Sequence, residues 1–315
     1  MTMARHLLID VDSKIPNLAL MKISAWAKKN GDDVDLNTCR GIPDTVWISC
    51  VFDWNRERAI TSSRMYASFG CDVELGGSGI DLARKLPVEI EEQIPDYALY
   101  GDDRAIGFAQ RGCNRRCEFC IVPKKEGMIR ENAYFPVSTW TPEGFSKVLL
   151  LDNNMAQSPH HDEILADCRE HGYKLCITQG YDIRCMTPER AKLLAKDKPW
   201  SLKFRERRLY IAWDYFFIKP YVIRGIEMLL NAGFKGREIM CYCLVGFNTT
   251  PEQDMHRVKV LDEFGVLPFI MPYNRNSNPK YHGQLSAFAR WVNGRYYQFV
   301  PWEKYSRKRS LIPAA

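Results

Sequence analysis

The sequence predicts an α/β protein: a partial, TIM-like (β/α)6 barrel preceded by a small Rossmann-like open-sheet domain. Three observations predict it. Between residues 105 and 275, six strand-like apolar runs alternate with helical stretches, the order expected of parallel strands buried on both faces. The first hundred residues carry a separate β-α-β-β-α-β pattern with a glycine loop after its last strand, as in a doubly wound sheet. A polar loop with three closely spaced cysteines follows the first strand of the later set. The chain of 315 residues, 46% hydrophobic and 26% charged, is long enough for two cores and is neither fibrous nor low-complexity.

The elements follow in order. HLLIDVD (6–12) is a strand. IPNLALMKISAWAKKNG (15–31) spaces apolar residues at 20, 23 and 27, ends basic and closes on Gly31, so it is a helix. DVDL is a short strand and TVWISCVF (45–52) a buried one. RERAITSSRMYASFG (56–70) is a helix, and CDVELGGSG (71–79) is a strand running into a tight turn. GGSG lacks the G-x-G-x-x-G spacing of a dinucleotide loop. The acidic, proline-bearing stretch 85–101 connects to AIGFAQ (105–110), the first strand of the barrel. A helix-start signal spans Thr139 to Gly144, before the strand KVLLLDNN (147–154). A helix over 160–172, the strand KLCITQ (174–179) and the Thr-Pro-Glu helix start at 187–189 come next. RLYIAWD (208–214), a helix over 220–232, the apolar strand REIMCYCLVGF (237–247), a second Thr-Pro-Glu helix (250–265) and VLPFIMPYN (266–274) complete the alternation. The domains are therefore expected at 1–100, 101–280 and 281–315. The last is an aromatic extension with Trp291, Tyr296, Tyr297, Phe299, Trp302 and Tyr305, packing against the barrel's open side.

Eleven cysteines, an odd number with no export signal, argue against a disulfide framework. Most lie singly in apolar runs, as small buried hydrophobes do. Cys113, Cys117 and Cys120 differ. They are spaced C-x3-C-x2-C beside Arg111, Asn114, Arg115 and Arg116, and cationic neighbours favour thiolates. A structural zinc would want a fourth ligand at matched spacing. His160 and His161, forty residues on, do not supply one. Three thiolates leave one iron of a cubane cluster open to a small molecule.

RGCNRRCEFCIVP, with Phe119 before the last cysteine, resembles the signature of the radical S-adenosylmethionine (radical SAM) enzymes. Its R-G-C-x3-C-x-F-C form is similar to that of the methylthiotransferases and of the branch with an N-terminal cobalamin-binding-like domain. The resemblance implies a [4Fe-4S] cluster on the three cysteines, S-adenosylmethionine as cosubstrate, and an enzyme acting on an unidentified substrate through a 5′-deoxyadenosyl radical. It also implies a low-potential electron donor such as flavodoxin or ferredoxin. Polar residues mark the strand ends, where barrels collect function. Asp152, Asn153 and Asn154 stand where the family often has Gly-Gly-Glu for the methionine amino group; that motif is absent. Gln179, Asp182 and Arg184 follow the third strand, and Asp214 the fourth, where a polar group reaches ribose or substrate. Gly246, before Asn248 and Thr249, matches the glycine that admits adenine to the backbone; Tyr273, Asn274 and Arg275 end the sixth strand.

Family members that hold cobalamin through a histidine carry D-x-H-x-x-G after the first strand. DVDSKIPN has neither that His nor the Gly, so a degenerate domain without cobalamin is expected. Two related readings stand beside this one: a methylthiotransferase-like enzyme, with a second cluster on Cys39, Cys50 and Cys71, and a cobalamin-dependent radical methyltransferase. A non-catalytic, cluster-containing binding module is the rival from another class. No RNA-binding β-barrel is expected to follow residue 305. The net charge of +6 and the basic run Lys304, Arg307, Lys308 and Arg309 do not by themselves indicate nucleic acid. No stretch is apolar enough to span a membrane, and Asp10 and Asp12 interrupt any signal-peptide core; the expected location is cytoplasmic.

Overall fold

A computed structural model describes residues 3–274 and 282–305. Among the described residues the chain is α/β, with parallel strands in three small sheets and no closed barrel. It divides into two compact units: 1–153 with 170–173, and 154–169 with 174–315. Arg275, Arg307, Lys308 and Arg309 lie outside the described residues.

The first unit opens with β1 (Arg5–Asp10), α1 (Leu18–Lys29), β2 (Asp33–Leu36), β3 (Thr45–Ser49), α2 (Arg56–Ser68) and β4 (Asp72–Gly76). The strands form a parallel sheet of order β2-β1-β3-β4. That is a doubly wound arrangement whose switch point lies between β1 and β3. Alternation of side chains along a strand explains the layering. Leu7 packs with Val46, Ile48 and Ala59 of α2. Its neighbour Leu8 packs on the other face with Leu20 and Ile23 of α1. Asn17 caps α1 by accepting from Leu20 N at 3.2 Å.

The unit continues with α3 (Val88–Glu91), β5 (Arg104–Gly107), α4 (Val122–Lys125), α5 (Val137–Trp140) and β6 (Lys147–Leu150). β5 and β6 pair parallel, from Arg104↔Lys147 to Gly107↔Leu150. The helix expected from Thr139–Gly144 does not form. The single helical turn of α5 takes in only its first two residues, Thr141 is extended, and Phe145 N closes a turn on Pro142 O at 3.1 Å. Only Phe145 and Ser146 separate Gly144 from β6, too few for a helix.

The second unit holds α6 (His161–Glu170), β7 (Lys174–Ile177), α7 (Pro188–Lys196), β8 (Leu209–Ala212), α8 (Lys219–Asn231), β9 (Ile239–Val245), α9 (Pro251–Glu263), β10 (Leu267–Pro272) and α10 (His282–Asn293). β8, β9 and β10 form one parallel sheet with β9 central. Beyond β7, Tyr181 bridges in parallel to Ile211 of β8. Thr187 and Thr250 cap α7 and α9, each followed by proline at the first turn. Tyr210, Tyr242 and Phe269 line one face of the sheet, Tyr210 stacked on Tyr242 at 5.3 Å. Within the aromatic tail, Trp291 meets Phe288 and Trp302. Asn293 binds both backbone groups of Ile270 on edge strand β10, at 2.7 and 3.0 Å, and so blunts that edge.

Candidate functional site

The cysteine loop leaves β5 and is closed at its base. Cys113 N donates to Gly127 O at 3.0 Å, and Ile129 N donates to Asn114 Oδ1 at 3.1 Å. Gly112 makes this closure possible. Its φ is +97°, and a Cβ there would come within 2.6 Å of Met128 O. Cys113, Cys117, Phe119 and Cys120 are all half-buried on this loop. The other cysteines behave as hydrophobes: Cys50, Cys71, Cys168, Cys176, Cys241 and Cys243 are buried, with Cys39 and Cys185 partly so.

The next strand braces the loop. Asp152 is 1% exposed, and its carboxylate accepts from Ala109 N at 2.8 Å and from Gln110 N at 3.1 Å. Burial pushes its pKa up to about 7 against the pull of these bonds and of Arg111. Asn153 Oδ1 accepts from Gly112 N at 2.8 Å. Both side chains are therefore turned onto the backbone that enters the cysteine loop. Arg111 reaches Glu91 at 2.7 Å and Glu126 at 3.4 Å, with its guanidinium over Phe108.

The donor chemistry of the loop fits an iron–sulfur group: three thiols within eight residues, with Arg115 N donating to Cys113 Sγ at 3.4 Å. Among the described residues, no three His, Cys, Asp or Glu side chains are gathered as a metal-holding group. A second cluster on Cys39, Cys50 and Cys71 does not fit. Thr45 pairs with Asp72 and Ser49 with Gly76. Cys71 therefore flanks the start of the pair and Cys50 its end, roughly 20 Å apart.

The sequence led to the expectation of no cobalamin on the first unit's sheet, where ligands of doubly wound folds sit at the switch point. Here protein fills it. Asp12 accepts from Val51 N at 2.7 Å, Phe52 N at 3.1 Å and Asn55 Nδ2 at 3.0 Å. Asn17 Nδ2 bridges Ser13 and Ser49 at 3.0 and 2.9 Å. The GGSG turn lies on the same loop: a Cβ on Gly77, whose φ is +99°, would come within 2.2 Å of Cys50 O. His6 is buried inside β1, between Trp47 and Asp32.

In the second unit, strand ends bring together residues far apart in sequence. Arg184 forks onto Asp182 at 2.6 and 3.1 Å, and Asn154 Nδ2 lies 3.5 Å from the same carboxylate. Asp214 is half-buried; burial raises its pKa to about 6, while Arg257 and Arg184 oppose the rise. Gly246 faces α10, where a Cβ would meet Leu285 at 2.5 Å. The approach expected there for adenine is thus covered by a leucine side chain.

Sequence reasoning missed Arg257. It is fully buried and binds Trp213 O at 2.6 Å, Leu244 O at 2.7 Å and Asp254 at 2.5 Å. It clamps the ends of β8 and β9 beside Asp214. The signal existed: Asp254 and Arg257 fall in the helical stripe of Val258 and Leu261, opposite charges among apolar residues. His161 and Tyr181 were also missed. His161 Nε2 meets the Tyr181 hydroxyl at 3.0 Å, and Nδ1 meets Asp162 at 2.6 Å.

Among the described residues no helix is long and apolar enough to cross a membrane. No family model matches the chain, and no curated protein matches it.

Proposed function

We propose that this chain is a radical SAM enzyme that cleaves S-adenosylmethionine reductively and acts on a substrate through the radical produced. The observation that carries the reading is the C-x3-C-x2-C triplet on a closed loop after a parallel strand, braced by Asp152 and Asn153 of the next strand. The parallel pairing of β8 with β9 and of β9 with β10, and of β5 with β6, supports strands of the kind a partial barrel uses.

Cys113, Cys117 and Cys120 would hold a [4Fe-4S] cluster, with Phe119 beside the last of them. Bound there, such a cluster would provide the one electron that breaks a carbon–sulfur bond of the sulfonium. The chain's own residues orient and insulate. Asp152, Asn153 and Gly112 hold the loop's entry, and Arg111, Arg115 and Arg116 keep the thiols in a cationic setting. Asn154 and Asp214 offer polar contacts to ribose or substrate, and Arg257 fixes the backbone that carries Asp214. A flavodoxin- or ferredoxin-like donor supplies the electron. We infer that residues 1–100 hold no corrin, since Asp12, Asn17 and the GGSG turn fill the switch point; this disfavours the cobalamin-dependent methyltransferase.

Anaerobic loading with iron and sulfide, then dithionite and S-adenosylmethionine, tests the reading. The expected result is about four irons per chain, as a cubane requires, and 5′-deoxyadenosine as product. Both are lost when the three cysteines become alanine. Retention of iron in that variant overturns the assignment. Iron loading without deoxyadenosine leaves the binding module instead.

A further inference from the structure

In the first unit, α2 turns apolar residues to solvent. Toward its sheet it presents Ala59, which is buried, and Tyr66, which packs on the core. Arg56 ties its start to the carbonyls of Gly79 and Ile80, at 3.0 and 2.8 Å. The opposite face runs Trp54, Arg58, Thr61, Met65 and Phe69, the four- and three-residue steps of one helical stripe. Trp54 lies in the turn that leads into α2, and Phe69 caps its end. Trp54 and Phe69 are each 56% exposed, and Met65 is 44% exposed. A surface helix normally keeps its outer face polar, and a stripe of large apolar side chains there marks a contact surface. The rings at its two ends are braced: Trp54 stacks on Phe52 at 4.4 Å, and Phe69 meets Tyr66 edge-on at 6.4 Å. Well-ordered aromatic anchors of this kind carry much of the energy of an interface.

Charge identifies the occupant. Glu57 and Arg64 are exposed and stand two turns apart on one flank of the stripe. Among the described residues neither forms an ion pair. When a second α2 lies antiparallel on the first, this flank meets itself reversed, and each Glu57 faces the partner's Arg64. A parallel pair would instead set Glu57 on Glu57 and Arg64 on Arg64. The same reversal, centred between Thr61 and Ser62, places Trp54 on the partner's Phe69. It also lays the aliphatic stem of Arg58 on the partner's Met65. Thr61, small and central, lets the two helices approach. The patch is thus its own complement, as a two-fold contact requires. We propose that two copies of this chain pair through antiparallel α2 helices about a two-fold axis beside Thr61. The inference concerns the first unit alone and is independent of the cluster. One helix pair lies at the low end of specific interfaces, roughly 1,000 Å², so the dimer belongs to the micromolar class.

Sedimentation equilibrium of the full chain provides the test, with a thiol reductant present so that none of the eleven cysteines crosslinks. Over about 1–200 μM, a range spanning micromolar affinity, the mass should rise from one chain to two and no further. Met65→Lys, at an exposed position, should hold the chain monomeric with its circular dichroism unchanged. Glu57→Arg and Arg64→Glu should each weaken the dimer about tenfold, because the two-fold axis turns two attractions into two repulsions. The two reversals combined restore opposite charges, and association should return to within about threefold of the original. Monomer at every concentration overturns the proposal and leaves the stripe to a different protein. A dimer unmoved by Met65→Lys and by both single reversals overturns it as well, since the contact then lies elsewhere. A double variant no stronger than the single ones overturns the antiparallel pairing. So does a mass that climbs past two chains, the mark of an open head-to-tail contact.

Discussion

Single buried charges carry the sharpest expectations. Asp152 is held above its unfolded pKa, up to about 7. A carboxyl with a raised folded pKa contributes stability below its unfolded value of roughly 4 and loses it as pH rises toward the folded one. Asp214 has the same sign, with its folded value at about 6. Burial lowers the pKa of His161 instead, so its contribution is lost as pH falls below about 6.5. Urea midpoints between pH 4 and 8 should therefore fall with rising pH for the carboxyls. Asp152→Asn should flatten that slope, because both backbone bonds to Oδ1 survive the change. An unaltered slope in the variant would refute the role given to burial. Arg257→Met should cost about 3–5 kcal/mol, since it strands Asp254 and two carbonyls in the core; thermal unfolding measures it. Asp152 and Asp214 were legible in the sequence as strand-end acids, but their burial was not. Arg257 escaped because charged residues on a helix are normally read as its solvent face.

Elements were read more securely than the links between them. The Thr-Pro-Glu starts of α7 and α9 are local chemistry, and the structure places both caps as expected. The signal at Thr139–Gly144 was of the same kind but ran into β6 within two residues. α10 was not read as a helix at all, because its aromatic run obscured the helical period. Its function as an edge cover depends on one amide, Asn293. Replacing that residue by alanine removes two bonds to Ile270 and should cost about 1–3 kcal/mol, seen as faster hydrogen exchange at Ile270. In the cysteine loop, Gly112→Ala forces a Cβ toward Met128 O and opens the closure at Gly127. The variant should stay folded by circular dichroism yet take up less iron under anaerobic loading. Full iron uptake would show that the closure does not govern the loop.

At the scale of the whole chain, periodicity gave the number and sense of the strands, while sheet order and closure depended on long-range pairing. The β-α-β-β-α-β pattern of the first hundred residues is present, and its order β2-β1-β3-β4 became visible only through the register of β1 with both β2 and β3. Missing D-x-H-x-x-G residues were legible; the filling of the crevice by Asp12, Asn17 and Gly77 was not, since contacts such as Asn17 to Ser49 and Asp12 to Phe52 span 32 and 40 residues. The chain incubated with hydroxocobalamin and desalted should retain no stoichiometric corrin absorption. A one-to-one complex would mean that the loops after β1 and β3 can separate, and would restore the methyltransferase reading.

The boundary between the two compact units falls between Asn153 and Asn154, inside a single tripeptide. Its first two side chains brace the cysteine loop, and the third leans on Asp182. For a gene that encodes this chain, the three codons form one indivisible word. Loss of one codon would move at least one of these three side chains away from its partner. In a scan of single-codon deletions, positions 152–154 should be among the least forgiving, while the turn at His171–Gly172 should tolerate the same lesion far better.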